Sequence, residues 1–270
     1  MIEGFWMFPL LGILVGVLAG LLGIGGGLVL VAALAWLLPL QGVPVDTAMH
    51  AALASSMASI VFTALSSAWS HHRRGSVLWP TVAWMVPGLA LGGVLGSQVA
   101  VGLDGMVLRW IVAGYCLLAG AQMAFSGARA DSGRDIVPTG LSMTAAGTGI
   151  GALSAVVGIG GGSMTVPLLV WRGVRPVRAV GTSSACGVAI AIGSALGYAL
   201  NAPPGGLPEG AVGYVYLPAA IGVALTSVLA APWGTRLAHA ISGPTLRRVF
   251  ALFLVAVGLS LVLQGRAPLG

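Results

Sequence analysis

The chain has 270 residues, 57% of them hydrophobic and only 7% charged, with a mean hydropathy of +1.01. Soluble domains carry about 25% charged residues, so this composition excludes a water-facing surface and predicts an all-α polytopic membrane protein. The net charge of +6 comes from 12 basic residues, all Arg and most in short loops, which marks membrane orientation rather than nucleic-acid binding.

Met1 to Pro9 has neither a basic n-region nor a small-residue cleavage site, so no removable signal peptide is expected. Residues 7–38 are apolar but too long for one helix, and Gly-Ile-Gly-Gly-Gly at Gly23 to Gly27 interrupts them. Each Gly costs about 1 kcal/mol relative to Ala in a helix, so two short helices meeting at the glycines are predicted. Residues 48–70, 80–101 and 106–126 each predict a spanning helix, with His71-His72-Arg73-Arg74 as a solvated basic loop after the first. The pattern then restarts. Residues 139–171 are broken at Gly158 to Gly162, and spans follow at 178–200, 212–232 and 245–264, with a polar loop at Asn201 to Gly210.

The restart is a repeat. Gly20 to Leu28 recurs as Ala155 to Ser163, 135 positions on; Ala54-Ser55-Ser56 matches Thr182-Ser183-Ser184, 128 on; Gly96-Ser97 and Leu108-Arg109 match Gly234-Thr235 and Leu246-Arg247, 138 on. Three ordered matches divide the chain into an N-terminal repeat (1–130), a cytoplasmic linker (131–138) and a C-terminal repeat (139–270). Each repeat reads as a Gly-broken helix pair or hairpin plus three transmembrane helices, about 8–10 membrane helices in all.

The loop charges predict that the repeats are inverted. His71 to Arg74 is basic where its counterpart, 201–210, carries only Glu209; Arg172, Arg175 and Arg178 are basic where 39–47 carries only Asp46. Arg236, Arg247 and Arg248 likewise face Asp104 and Arg109. Equivalent loops therefore fall on opposite sides, provided each Gly-broken segment returns to the side it started from, and both termini become periplasmic.

Inverted-repeat transporters place their site near the midplane, at helices interrupted by Gly. A broken helix frees backbone N–H groups, and its N-terminus is partly positive, so the pair binds an anion without a fixed cation. Gly25, Gly26, Gly27, Gly160, Gly161 and Gly162 would let a small oxyanion approach the backbone, with Ser163 and Thr165 adding hydroxyl donors. The competing reading is close helix packing, which is preferred for Gly12-x-x-x-Gly16-x-x-x-Gly20. Ser55, Ser56, Thr182 and Ser183 lie within apolar helices, where a hydroxyl either bonds its own backbone or a ligand. Ser66, Ser67 and Ser194 read as small packing residues, His50 as interfacial, and Gln98 as near a helix end. Cys116 and Cys186 read as packing residues without a redox or metal motif.

All six acidic residues (Glu3, Asp46, Asp104, Asp131, Asp135, Glu209) lie outside the predicted spans or at their ends. Cation carriers and carboxylate proton relays keep an acid in the membrane, so an anionic or neutral substrate is favoured. No catalytic residue, metal ligand or cofactor motif is present: neither glycine run fits the Rossmann or P-loop pattern.

Gly158 to Pro167 (Gly-Ile-Gly-Gly-Gly-Ser-Met-Thr-Val-Pro), its degenerate partner at Gly23 to Val31 and the repeated Thr-Ser-Ser type motif resemble the TauE/SafE sulfite exporter family. So does Ala54 to Ser70 ending in His71-His72-Arg73-Arg74-Gly75, and the resemblance covers nearly the whole chain. It implies a bacterial inner-membrane carrier of sulfite, organosulfonates or related sulfur oxyanions. The expectation is a secondary transporter, an exporter by this resemblance, working by alternating access with the lipid bilayer and a small anion as its partners. Proton coupling and a homodimer are compatible with it. The alternatives are an uptake permease for an organosulfonate or thiosulfate and a non-transporting membrane scaffold; an intramembrane enzyme would need convergent acids, His or Cys that the sequence does not supply.

Overall fold

The computed structural model describes residues 6–22, 26–125, 136–240 and 243–264. These form ten helices: α1 (Met7–Leu22), α2 (Gly27–Leu40), α3 (Val45–Arg73), α4 (Trp79–Val101), α5 (Gly105–Phe125), α6 (Leu141–Val157), α7 (Gly162–Trp171), α8 (Pro176–Ala199), α9 (Leu217–Ala240) and α10 (Gly243–Gln264). The all-α polytopic reading holds. α3, α4, α8 and residues 105–122 of α5 are long and apolar enough to cross a bilayer.

Both predicted interruptions are present. The described part of α1 runs to Leu22, and α2 starts at Gly27 behind Gly26 at φ 56°; α6 stops at Val157 and α7 starts at Gly162. Gly158 caps α6 at φ 81° and Gly161 caps α7 at φ 75°, left-handed values that a residue with a Cβ rarely adopts. One prediction needs correction. The span expected at 212–232 begins only at Leu217, because Ala211–Val212 and Val215–Tyr216 pair as a small antiparallel hairpin.

The halves pack on each other in exchanged pairs. The most extensive interfaces are α1 on α9 and α6 on α4; α4 packs on α8 as α9 packs on α3, while α3 meets α8 and α5 meets α10. The exchange extends to single residues. A Cβ on Gly12 would stand 2.7 Å from the Val223 carbonyl oxygen, and one on Gly147 would stand 2.8 Å from that of Met85. Gly16 rests in the same way on Ser227, and Gly151 on Leu89. Gly12 and Gly16 are thus packing residues, as small-residue interfaces in membranes require.

The connections sort by charge. Arg172, just after α7, donates to Ser142 Oγ at the start of α6 at 3.5 Å, so the α6–α7 unit begins and finishes at one end of the bundle. The α3–α4 connection is at that end too, because the Leu78 N–H donates to Thr182 Oγ1 in α8 at 3.0 Å. His71, His72, Arg73, Arg74 and Arg175 therefore gather there. At the opposite end, Phe8 of α1 packs on Tyr216, and the turn after α2 lies beside Pro208, where a Cβ on Gly42 would stand 3.9 Å from Pro208 Cγ. Asp46, Asp104 and Glu209 are at this second end, where His50 Nε2 lies 3.2 Å from Ala100 O and 3.0 Å from Leu103 O.

His50 is buried at this end of the bundle: it is 5% exposed and ties α3 to the end of α4. His71 and His72 belong to the last turn of α3 rather than to a loop, and the His72 ring sits between those of Trp69 and Trp79. Gln98 does stand near the end of α4, donating to Gly197 O at 3.2 Å. Cys116 and Cys186 are both buried, as packing residues are.

Candidate functional site

The two glycine breaks touch. A Cβ on Gly27, the first residue of α2, would lie 2.6 Å from the Gly158 carbonyl oxygen and 3.3 Å from Ile159 Cα. At the start of α7 the Met164 and Thr165 amides donate to the Gly161 carbonyl at 3.1 and 2.8 Å, as the Leu30 amide donates to that of Gly26 at 3.1 Å in α2, and the amides before them leave each helix start partly positive. Gly27, Leu28 and Val29 are buried, whereas Gly26, Gly160, Gly162 and Ser163 are half-buried.

Its hydroxyls set the second break apart. Ser154 Oγ and Thr165 Oγ1 are buried without a hydrogen-bond partner, and a Cβ on Gly161 would stand 3.6 Å from the first and 3.5 Å from the second. They therefore converge on the residue that caps α7. Ser163 Oγ pairs with Tyr115 Oη of α5 at 2.5 Å. In the first half the matching positions are Ala19, Leu28 and Leu30, so that break carries no hydroxyl at any of the three.

Of the residues expected at the site, the structure brings Gly160, Gly161, Gly162, Ser163 and Thr165 together at the start of α7, with Gly26 and Gly27 at the start of α2 beside them. Gly25 lies outside the described residues. Ser56 Oγ faces the Gly27 carbonyl at 3.5 Å, and Ser183 Oγ is buried without a partner. Ser55 and Thr182 have a structural engagement. Ser55 Oγ accepts the Tyr216 N–H at 3.0 Å, as Thr182 Oγ1 accepts the Leu78 N–H at 3.0 Å. Each bond crosses between the halves, and each hydroxyl keeps its own hydrogen for another acceptor. The exchange pairs Ser55 with Thr182, which shifts the sequence match in this segment by one residue.

Tyr115 and Ser154 were not singled out from the sequence. Tyr115 reaches Ser163 across 48 positions, a tertiary contact with no local motif, while Ser154 resembles any small residue of an apolar helix.

Residues 8–261 match the family model described as sulfite exporter TauE/SafE. The chain belongs to this family. It is 36% identical over 256 residues to a Haemophilus influenzae protein named "probable membrane transporter protein", covering 94% of this chain and 97% of that one. A Xylella fastidiosa protein of the same name is 31% identical over 269 residues, covering 95% and 94%. A similarly named Methanocaldococcus jannaschii protein is 25% identical over 265 residues, covering 97% of each chain. No solved structure matches. Family and relatives together make this TauE/SafE member a multi-pass membrane transporter, and their names are those of transporters rather than enzymes.

Proposed function

We propose that this TauE/SafE protein carries sulfite or a related small sulfur oxyanion outward across the bacterial inner membrane by alternating access. The observation that carries this reading is the pair of buried, unpartnered hydroxyls, Ser154 Oγ and Thr165 Oγ1, aimed at the cap of α7. An unpaired buried polar group costs roughly 1–3 kcal/mol, which a bound oxyanion would offset by accepting from it. The anion would lie beside the second break, against the amides of Gly161 to Ser163, with Thr165, Ser154 and Ser183 as donors. It would not lie in the Gly27–Gly158 contact, where there is no space for it.

The two halves act as inverted repeats rocking about their touching breaks. Two features support the inversion: the exchanged packing of α1 on α9 and α6 on α4, and the return of each Gly-broken unit to opposite ends of the bundle. By the positive-inside rule the end bearing His71 to Arg74 and Arg172 is cytoplasmic, and α1 then starts on the periplasmic side. A weak-acid anion brings its own proton, so proton coupling needs no carboxylate in the membrane.

The test is flux through the purified full chain in liposomes, measured in both directions for sulfite, an alkyl sulfonate, thiosulfate and sulfate. Saturable sulfite flux absent from empty liposomes is expected. Absence of flux for every one of these anions would sink the reading.

A further inference from the structure

The groups around the cap of α7 also bear on the charge of the anion they would hold. We propose that the site accepts singly charged sulfur oxyanions, hydrogensulfite and R–SO3⁻ alike, and turns away dianions such as sulfate and thiosulfate. This rests on the α7 start being the anion site.

The positive potential there is small. A helix N-terminus contributes about half an elementary charge. No Arg, Lys, Asp or Glu occurs in α1, α2, α6 or α7, none in α3 between Asp46 and Arg73, and none in α8 after Arg178. α5 brings Tyr115 to the site, but its Arg109 stands six residues earlier, about 9 Å along the helix axis. The remaining donors are uncharged: Ser154, Ser163, Thr165, Ser183 and the Tyr115 phenol.

Two opposing quantities scale differently with ligand charge. Attraction to a fixed partial charge grows in proportion to it, whereas the Born cost of leaving water grows with its square, about fourfold from one charge to two. A partly buried site with no cation among its donors therefore favours one charge over two. The hydroxyls fit this form as well. Ser154 and Thr165 each have a hydrogen to give to a sulfonyl oxygen and lone pairs to accept a hydrogen bond from hydrogensulfite, which a backbone N–H cannot do, while Ser163 and Tyr115 share one hydrogen between them.

The experiment uses the full chain in liposomes with four labelled anions at equal total concentration, in mildly acid and mildly alkaline buffer. Methanesulfonate holds one charge in both buffers, whereas sulfite shifts from one charge to two. Methanesulfonate flux is expected to be the same at both pH values and sulfite flux to fall several-fold on going alkaline. Sulfate and thiosulfate should be carried about tenfold more slowly than methanesulfonate or less, a preference of about 1.4 kcal/mol. Dianion flux within about threefold of methanesulfonate, or sulfite flux that rises with pH, overturns the proposal while leaving the transporter reading in place. No flux of any of the four overturns both. Thr165→Val adds a second arm: methanesulfonate and acid-buffer sulfite fluxes should fall together, and loss of one alone contradicts a common site.

Discussion

Gly27 rests on Gly158 with no space between them: a Cβ on Gly27 would stand 2.6 Å from the Gly158 carbonyl oxygen and 2.9 Å from Ile60 Cδ1. The first residue of α2 and the cap of α6 are thus joined backbone to backbone, where the breaks of the two halves meet. Gly27→Ala should overpack this contact, costing about 1–3 kcal/mol, and lower the melting midpoint of the purified protein by several degrees. An unchanged midpoint would mean that the breaks separate easily.

Thr165 leads to the opposite expectation for stability. Its Oγ1 is buried with no partner, so Thr165→Val removes an unsatisfied group at nearly constant shape. The fold should be as stable or slightly more stable, while KM for the transported anion rises by about tenfold. Flux kinetics beside a melting curve check this. A variant with intact kinetics would take Thr165 out of the site.

Ser55 and Thr182 should behave the other way round. Each hydroxyl oxygen receives a backbone N–H from the opposite half, Tyr216 and Leu78 respectively. Ser55→Ala leaves the Tyr216 amide without its acceptor and should cost about 1–3 kcal/mol in unfolding free energy. Thr182→Val should cost a similar amount, because the two bonds are equivalent. If either variant kept wild-type stability, the bond would not tie the halves.

The charge-sorted ends predict sidedness. Glu209→Cys should react with a membrane-impermeant maleimide added to intact spheroplasts, and Arg74→Cys only after the membrane is opened. Cys116 and Cys186 are buried and should give little background. Labelling of both positions from the same side would refute the placement of Arg74 and Glu209 at opposite ends.

Much of this was legible in the chain. Four glycines in five positions break a helix wherever they occur, so both interruptions fell where the sequence put them. Gly12 and Gly16 read correctly as packing residues because their four-residue spacing lines one helix face. Tyr214-Val215-Tyr216 misled, since an apolar run leading into Leu217 looks like more helix until hairpin pairing claims it. The tie that His50 makes was not legible, because Ala100 O and Leu103 O come from the far end of another helix. The Ser55–Thr182 equivalence was missed by one residue: neighbouring small hydroxyl residues look interchangeable until their amide partners are known. Tyr115 gave no local signal at all, because only the fold brings α5 against the start of α7.

The central claim is that an anion crosses this membrane by way of the second glycine break. Sulfite flux in liposomes by wild-type protein and by Gly161→Leu, with folding of both checked by melting, tests it most directly. Gly161 has φ 75°, and a Cβ built on it would run into Ile190 Cδ1, so a side chain there would fill the cap of α7. The account predicts wild-type flux and a folded variant that carries none. A folded Gly161→Leu protein with wild-type flux would contradict it.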